Sequence, residues 1–337
     1  MQANTVVRCL RLGCALALGL LVLNVASSAP AAAKPIPVIL DTDIGDDIDD
    51  TWALGLVLRS PELDLKLAVG DYGRAPYRAK LLAKFLQRAG RADVPVGVGL
   101  DIEPRGGTER QGAWVKDYDL KSYPGRVHAD GVQAMIDLII KSPEPVTLIA
   151  IGPLPNVAEA LRREPRIAQR ARFVGMHGSV KLGYGRGSPP AAEWNVKAAP
   201  AACRAVFEAP WPKTITPLDT CGLVHVTGEN YQRFKNATDP VAMAILENYR
   251  LWAATGGDAG LKEQPATRSS TLFDTVAVYL AFTEALCRME TVHLRVTDDG
   301  FTREDPAGPA VRAALSWKDQ AAFERFLVER LTSAPAN

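Results

Sequence analysis

The stretch Val38-Ile39-Leu40-Asp41-Thr42-Asp43-Ile44-Gly45-Asp46-Asp47-Ile48-Asp49-Asp50-Thr51-Trp52-Ala53-Leu54 decides how this chain is read. Its first residues are apolar and partly β-branched, as in a buried strand, and residues 53–58 read as the start of a helix. Between them lie six aspartates within ten positions. Carboxylates crowded into one turn repel each other, and burial alone neutralises them only at a cost. A bound divalent cation removes that cost, and an all-oxygen donor set points to a hard ion, Ca²⁺ or Mg²⁺. Gly45 permits the tight turn through which the carboxylates converge. The competing reading is a solvated acidic loop in which Asp49 or Asp50 caps the helix. The acids, however, stand at the C-terminal end of a first apolar strand, where open α/β sheets place their ligands.

The length of 337 residues, 47% hydrophobic and 23% charged, suits a globular enzyme with an ample core. A net charge of +1 gives no support for a nucleic-acid partner. Residues 1–33 stand apart. Arg8 and Arg11 precede the apolar run 12–26, and small residues fill 27–33, the pattern of a secretory signal cleaved before Lys34. Its apolar core is too short for a confident membrane span, so a periplasmic or secreted protein without stable membrane insertion is expected. Cleavage removes two positive and no negative residues, taking the net charge from +1 to −1. Cys203, Cys221 and Cys287 remain, an odd set that allows at most one disulfide and reads by default as buried thiols.

Downstream, strands expected at 65–70, 94–99, 146–151, 173–176 and 214–217 alternate with helices at 77–89, 131–141, 155–163 and 200–208. Further helices are expected at 240–254, 274–287 and 318–331, with a strand pair at 291–296 and 310–314. Residues 101–127 form a long polar connection carrying Trp114, Tyr118 and Tyr123, and 256–270 reads as a loop. Such alternation predicts an α/β fold over 34–337, a single domain built on an open, mainly parallel sheet flanked by helices.

Four further stretches have the composition of site loops. Val69-Gly70-Asp71 ends a strand with an acid, and Ile151-Gly152-Pro153-Leu154-Pro155-Asn156 ends another with carbonyls available as neutral ligands. Ala192-Glu193-Trp194-Asn195 follows a Gly-rich loop, and Phe273-Asp274 opens a helix with an acid. Singly, each is explained as a cap, a surface acid or a core aromatic.

Together, and in this order, they resemble the calcium-dependent nucleoside N-ribohydrolases of the inosine–uridine-preferring type. The family's Asp-X-Asp-X-Gly-X-Asp-Asp turn is matched by Asp41-Thr42-Asp43-Ile44-Gly45 and, after two additional residues, Asp49-Asp50. Its Thr-Gly-Pro-Leu-Thr-Asn, Met-Gly-Gly with Ala-Glu-Phe-Asn, and His-Asp motifs correspond to 151–156, Met176-His177-Gly178 with 192–195, and Phe273-Asp274. The resemblance implies that Asp43, Asp50, Asp274 and the Ile151 carbonyl hold Ca²⁺. It gives Asp49, Asp71, Glu193 and Asn195 to the ribose, Met176 and Trp194 to the sugar or base, and His128 to the border of the base pocket. A homo-oligomer, dimer or tetramer, is implied as well. The reaction implied is hydrolysis of a ribonucleoside to base and ribose, with Asp43 as general base and inversion at C1′. Positive charge developing on the sugar would be met by the surrounding carboxylates.

Two positions depart from the family pattern. Phe273 stands where a leaving-group His is frequent, and Pro155 stands for Thr. His128, His177, Tyr184, or stacking on Trp194 or on an aromatic of 101–127, are alternative aids to base departure. Two other readings compete: a secreted nucleoside- or ribose-binding protein without turnover, and a Mg²⁺-dependent phosphohydrolase using Asp41. The latter lacks a basic residue at the later strand ends.

Overall fold

The apolar start of the decisive stretch forms the central strand of the fold. In the computed structural model, which describes residues 1–2, 34–102 and 107–333, β1 is Ile36–Thr42. Val38 and Leu40 enter one helical layer and Ile39 the other, so this strand is buried on both faces. The remaining strands are β2 (Leu63–Gly70), β3 (Val96–Val98), β4 (Val127–His128), β5 (Val146–Ala150), β6 (Ala171–Met176), β7 (Lys213–Thr216), β8 (Cys287–Val296), β9 (Thr302–Glu304) and β10 (Ala310–Trp317). Among the described residues they form one sheet, ordered β4-β3-β2-β1-β5-β6-β7-β10-β8-β9. Pairing is parallel from β4 to β10, and β8 and β9 are added antiparallel. The expected open, mainly parallel α/β sheet is therefore present, and Lys34–Asn337 forms one compact unit.

The chain leaves β1 outward through β2, β3 and β4, then returns to the other side of β1 for β5, β6 and β7. That reversal opens a crevice at the C-terminal ends of β1 and β5, the place where such sheets bind ligands. One face is covered by the helices Asp49–Leu58, Ala75–Arg88, Pro240–Ala254, Phe273–Leu280 and Gln320–Thr332, the other by Gly131–Lys141, Pro155–Arg163 and Pro200–Glu208.

The helix after the acidic turn begins at Asp49, four residues earlier than its apolar pattern suggests. Its N-cap is Ile48, with no side-chain cap, so neither Asp49 nor Asp50 is spent on capping. Residues 256–270, expected as a loop, contain the helix Ala259–Thr267. The helix expected at 274–287 stops at Leu280, and Cys287 already belongs to β8. Strand β8 alternates charged, exposed residues with sparse apolar ones, so its length is set by pairing with β10 and not by hydrophobicity. The three cysteines are free and buried. Of the expected signal segment, residues 1–33, positions 3–33 lie outside the described residues. Among the described residues no helix is long and apolar enough to cross a membrane.

Trp52 locks the site-bearing helix into the core. It is fully buried, its ring 4.1 Å from that of Phe234 and edge-on to Tyr249 at 6.4 Å. Replacing it with Ala removes this wedge and leaves a cavity. Trp52→Ala is expected to lower unfolding stability by about 3–5 kcal/mol in urea titrations.

Candidate active site

Seven acidic side chains of the sequence motifs line one cavity of about 500 Å³ at the crevice. Asp43, Asp49, Asp50, Asp274 and Glu193 line it together with Asp47. Asp46, Ile151, Met176, Asn195 and the aromatic rings of Tyr184, Trp194 and Phe273 complete most of the wall. Carboxylate oxygens of Asp49, Asp50 and Asp274 approach within 4.8 Å of one another, and all three residues are buried. The family pattern grouped Asp43 with Asp50 and Asp274 and gave Asp49 to the sugar; here Asp49 joins the triplet and Asp43 stands beside it. Asp49 and Asp50 sit in the first turn of one helix and Asp274 in the first turn of another, so two helix N-termini direct partial positive charge toward the cluster. Asp49 Oδ2 accepts from the Asp274 backbone N–H at 3.3 Å, and Thr42 Oγ1 donates to Asp50.

How the turn turns its side chains inward follows from its carbonyls. Arg78, wholly buried, donates to the carbonyls of Asp43 and, at 3.1 Å, of Ile44. Tyr77 Oη donates to Gly45 O at 3.2 Å, Trp252 Nε1 to Asp46 O at 2.9 Å, and Gln111 Nε2 to Asp47 O at 3.4 Å. Five successive carbonyls are thus held from behind, which leaves the carboxylates to face the cavity. Gly45 is required twice over. Its φ is +108°, and a Cβ there would lie 2.5 Å from Leu81 and 2.6 Å from Tyr77.

Arg78 also fixes the neighbouring turn. Tyr72, Gly73 and Arg74 are all left-handed (φ 54°, 61° and 46°), and Arg78 accepts their strain by donating to the carbonyls of Tyr72 at 3.1 Å and Gly73 at 3.2 Å. The outcome sets Tyr72 edge-on to Trp194, ring centroids 6.4 Å apart. Nothing in the local sequence of Arg78, an ordinary helix position, marks this role; only its complete burial does.

The other motif residues divide between cavity and support. Asn195 donates to the carbonyls of Ile151 and Met176, each at 3.0 Å. Glu193 accepts three backbone N–H groups, from Asn195 (2.7 Å), Gly178 (2.9 Å) and Val196 (3.2 Å), and so joins the Gly-rich loop to the helix Trp194–Ala198. Asp71 is absent from the cavity wall. It lies buried behind it, where its Oδ1 accepts from Asn156 N at 3.4 Å. Asn156, whose motif suggested only a cap, ties the strand ends together: its amide donates to Asp41 (2.9 Å) and Gly70 O (3.1 Å) and its oxygen accepts from Leu100 N (2.9 Å).

His128 also lies elsewhere. It belongs to edge strand β4 and lines a separate groove of about 700 Å³ between the starts of β1 and β3 and the helix Gly131–Lys141. That groove is larger, but it gathers ion-paired surface residues such as Lys66–Asp64 and Lys141–Asp137, and no converging acids. The aromatics of 101–127 are likewise turned away. Trp114 packs on Phe85, Tyr118 bonds Gln87 and Tyr123 bonds Val94 O. What this connection delivers to the cavity is Arg110.

Burial sets the electrostatics. It pushes the carboxyl of Asp43 up to about 6 and those of Asp41 and Glu193 up to about 7. Asp49, Asp50 and Asp274 are raised well above the ordinary carboxylate range, by burial first and by the charge of neighbouring aspartates second. Oδ2 of both Asp41 and Asp71 has no hydrogen-bond partner among the described residues. The nearby guanidinium of Arg78 gives its N–H groups to carbonyls. An all-carboxylate set of this kind, with a neutral carbonyl on the same wall, fits a hard divalent cation.

Two outcomes are expected. Between the unfolded value near ~4 and the raised folded values, the folded state binds more protons than the unfolded one, so stability falls as pH rises. Metal-free protein should therefore melt highest near pH ~4 and lose on the order of 5 °C or more by pH ~7, with Ca²⁺ restoring the loss in thermal melts. Gly152 touches Asp43 so closely that a Cβ would lie 2.8 Å from its N and Oδ1. Gly152→Ala should displace Asp43 and weaken cation binding at least about 10-fold by isothermal calorimetry.

Comparison with known proteins agrees with this geometry. Residues 38–324 match the family model described as inosine-uridine preferring nucleoside hydrolase. A pyrimidine-specific ribonucleoside hydrolase, RihA of Enterobacter sp. (strain 638), is 32% identical over 225 residues, spanning 63% of this chain and 69% of that protein. The solved structure of the plant nucleoside hydrolase PpNRh1 superposes with a TM-score of 0.75 at 23% identity, covering 89% of this chain and 100% of that one. A purine-preferring ribonucleoside hydrolase from Gardnerella vaginalis gives 0.70 at 21% identity, over 88% and 98%. Both share the fold. The chain belongs to the inosine-uridine preferring nucleoside hydrolases, enzymes that cleave the N-glycosidic bond of nucleosides.

Proposed function

We propose that this chain hydrolyses ribonucleosides to free base and ribose with the help of Ca²⁺, and that Asp43 is the general base. The observation that carries the reading is the convergence of Asp49, Asp50 and Asp274 within 4.8 Å at the floor of a cavity rimmed by aromatic rings. Asp49, Asp50 and Asp274, with Asp43 and the Ile151 carbonyl on the same wall, are the groups that would hold the ion. Five oxygen-bearing residues suit the six to eight donors of Ca²⁺ better than the strict octahedron of Mg²⁺, which keeps much of its water. Bound there, the ion would lower the pKa of water and grip ribose hydroxyls.

The protein's own groups supply the rest. Asp43 stands on the cavity wall beside the triplet, where its carboxylate is placed to take the proton of a water held by the ion. The carboxylates around the sugar oppose the positive charge that develops at C1′ as the bond to the base lengthens. Water attacks from the carboxylate floor while the base leaves toward the aromatic rim, so inversion at C1′ follows. Trp194 and Tyr184, 45% and 47% exposed, are free to receive a planar base at the mouth. A phosphohydrolase would need a cation placed against a phosphate beside Asp41. Asp41 instead is fully buried and bound by Asn156, out of the cavity wall.

Purified protein incubated with a panel of ribonucleosides should release base and ribose, and chelator should abolish the release. Asp43→Asn should lower kcat by at least about 10³-fold, a loss that persists at Ca²⁺ concentrations high enough to saturate the weakened site, where the amide oxygen still ligates but cannot accept a proton. Asp274→Asn should lose both activity and high-affinity Ca²⁺ binding. Tight nucleoside binding with no ribose formed would favour a binding protein.

A further inference from the structure

The cavity has acidic side chains on its floor and a single cation, among the described residues, in its lining: Arg110. It comes from the 101–127 connection, and its backbone N–H donates to Gly45 O at 3.2 Å, so it is fastened to the acidic turn itself. The guanidinium lies flat on the Trp252 ring, 3.8 Å from its centroid, and Nη2 donates to Trp252 O at 2.9 Å. Nε reaches Thr255 Oγ1 at 3.4 Å. Nη1 has no hydrogen-bond partner among the described residues. A planar fork held by stacking and two hydrogen bonds, with one end left over at a cavity wall, is preorganised to donate to a ligand.

The other groups able to assist a departing base fail on position or chemistry. Phe273 has no proton to give. His128 is outside the cavity. His177 is buried away from the cavity wall, with Nε2 on Gly152 O at 3.0 Å, and burial holds it down at about 3. Tyr184 reaches the cavity, but its hydroxyl is oriented by accepting from Trp194 N at 2.9 Å, and a neutral phenol brings no charge to offset a departing anion.

We propose that Arg110 is the catalytic residue that assists base departure, its guanidinium donating hydrogen bonds to the carbonyl oxygen or ring nitrogen of the leaving base. The inference rests on the ribonucleoside reading above. As the water oxygen bonds to C1′ and its proton passes to Asp43, the C1′–N bond breaks and its electron pair stays on the base nitrogen. The base departs as an anion whose charge is spread onto acceptor atoms facing Arg110, and it then takes a proton from solvent. Arg110 keeps its own proton throughout and acts by charge and hydrogen bonding. The chemistry favours bases that carry a carbonyl acceptor, such as hypoxanthine and uracil.

The competing role for Arg110 is a countercharge to Asp46 and Asp47, whose fields it feels. A substrate that needs no help at the leaving group separates the two. Wild type, Arg110→Gln and Arg110→Lys are compared on inosine, uridine and 4-nitrophenyl β-D-ribofuranoside, whose nitrophenolate is stable without assistance. In Arg110→Gln the ratio of kcat/KM for inosine or uridine to that for the nitrophenyl riboside should fall about 100-fold, chiefly in kcat. Lys, which keeps the charge but loses the fork, should recover part of it. Equal losses on all three substrates, or no loss on any, would overturn the inference and leave the ribonucleoside reading intact. A wild-type protein inert toward all three would instead sink that reading, and this inference with it. Thermal melts of each variant show whether an equal loss reflects misfolding, and Arg110→Lys then serves as the deciding variant.

Discussion

Mutual repulsion among buried carboxylates is the constraint that the rest of this structure answers. Two ionised carboxylates about 4 Å apart repel by roughly 4 kcal/mol even at the effective dielectric of a protein's outer layers. Here Asp43, Asp47, Asp49, Asp50 and Asp274 line one cavity, with Asp41 and Asp71 buried behind it. Without a cation, the cluster is tolerated by holding protons, which is why every one of these carboxyls is pushed upward. With a cation, the same crowding becomes binding strength. A site built this way trades metal-free stability at neutral pH for affinity.

The scaffold offsets the remaining strain by gripping the backbone carbonyls of the turn, with only a few hydrogen bonds reaching its carboxylates. Arg78, Tyr77, Trp252 and Gln111 bind the carbonyls of residues 43–47. Each donor comes from a different place in the sequence from the turn, and Trp252 lies more than two hundred residues away. Because these donors take the carbonyls, the carboxylates are turned to the cavity with acceptor capacity to spare. Asn156 does the same for the strand ends, joining Asp41, Gly70 and Leu100. Preorganisation of this kind is what allows an electrostatic site to act without rearranging during the reaction.

The cavity is divided by function along its depth. The buried acids Asp43, Asp49, Asp50, Asp274 and Glu193 line its interior, and the half-exposed rings of Tyr184 and Trp194 share its more open part with Asp46, Asp47 and Arg110. Phe273, placed edge-on to Tyr184 at 6.2 Å, contributes a wall and no proton.

The sequence by itself determined the α/β class, the parallel sheet and most elements, because hydrophobic alternation and strand-end glycines act locally. The helices Gly131–Lys141, Pro155–Arg163, Pro200–Glu208 and Pro240–Ala254 lie where their patterns place them. It also named Asp43, Asp49, Asp50, Ile151, Met176, Glu193, Trp194, Asn195 and Asp274, all of which line one cavity, because residues that must converge on a ligand sit at strand ends. Tertiary structure alone decided that Asp71 supports the site from behind, that His128 faces another groove, and that Arg78 and Arg110 belong to the site. An arginine on a helix or in a polar loop carries no local mark of its partners. Only the folded chain, by burying one guanidinium against four backbone carbonyls and stacking the other on a distant tryptophan, turns those positions into parts of the site.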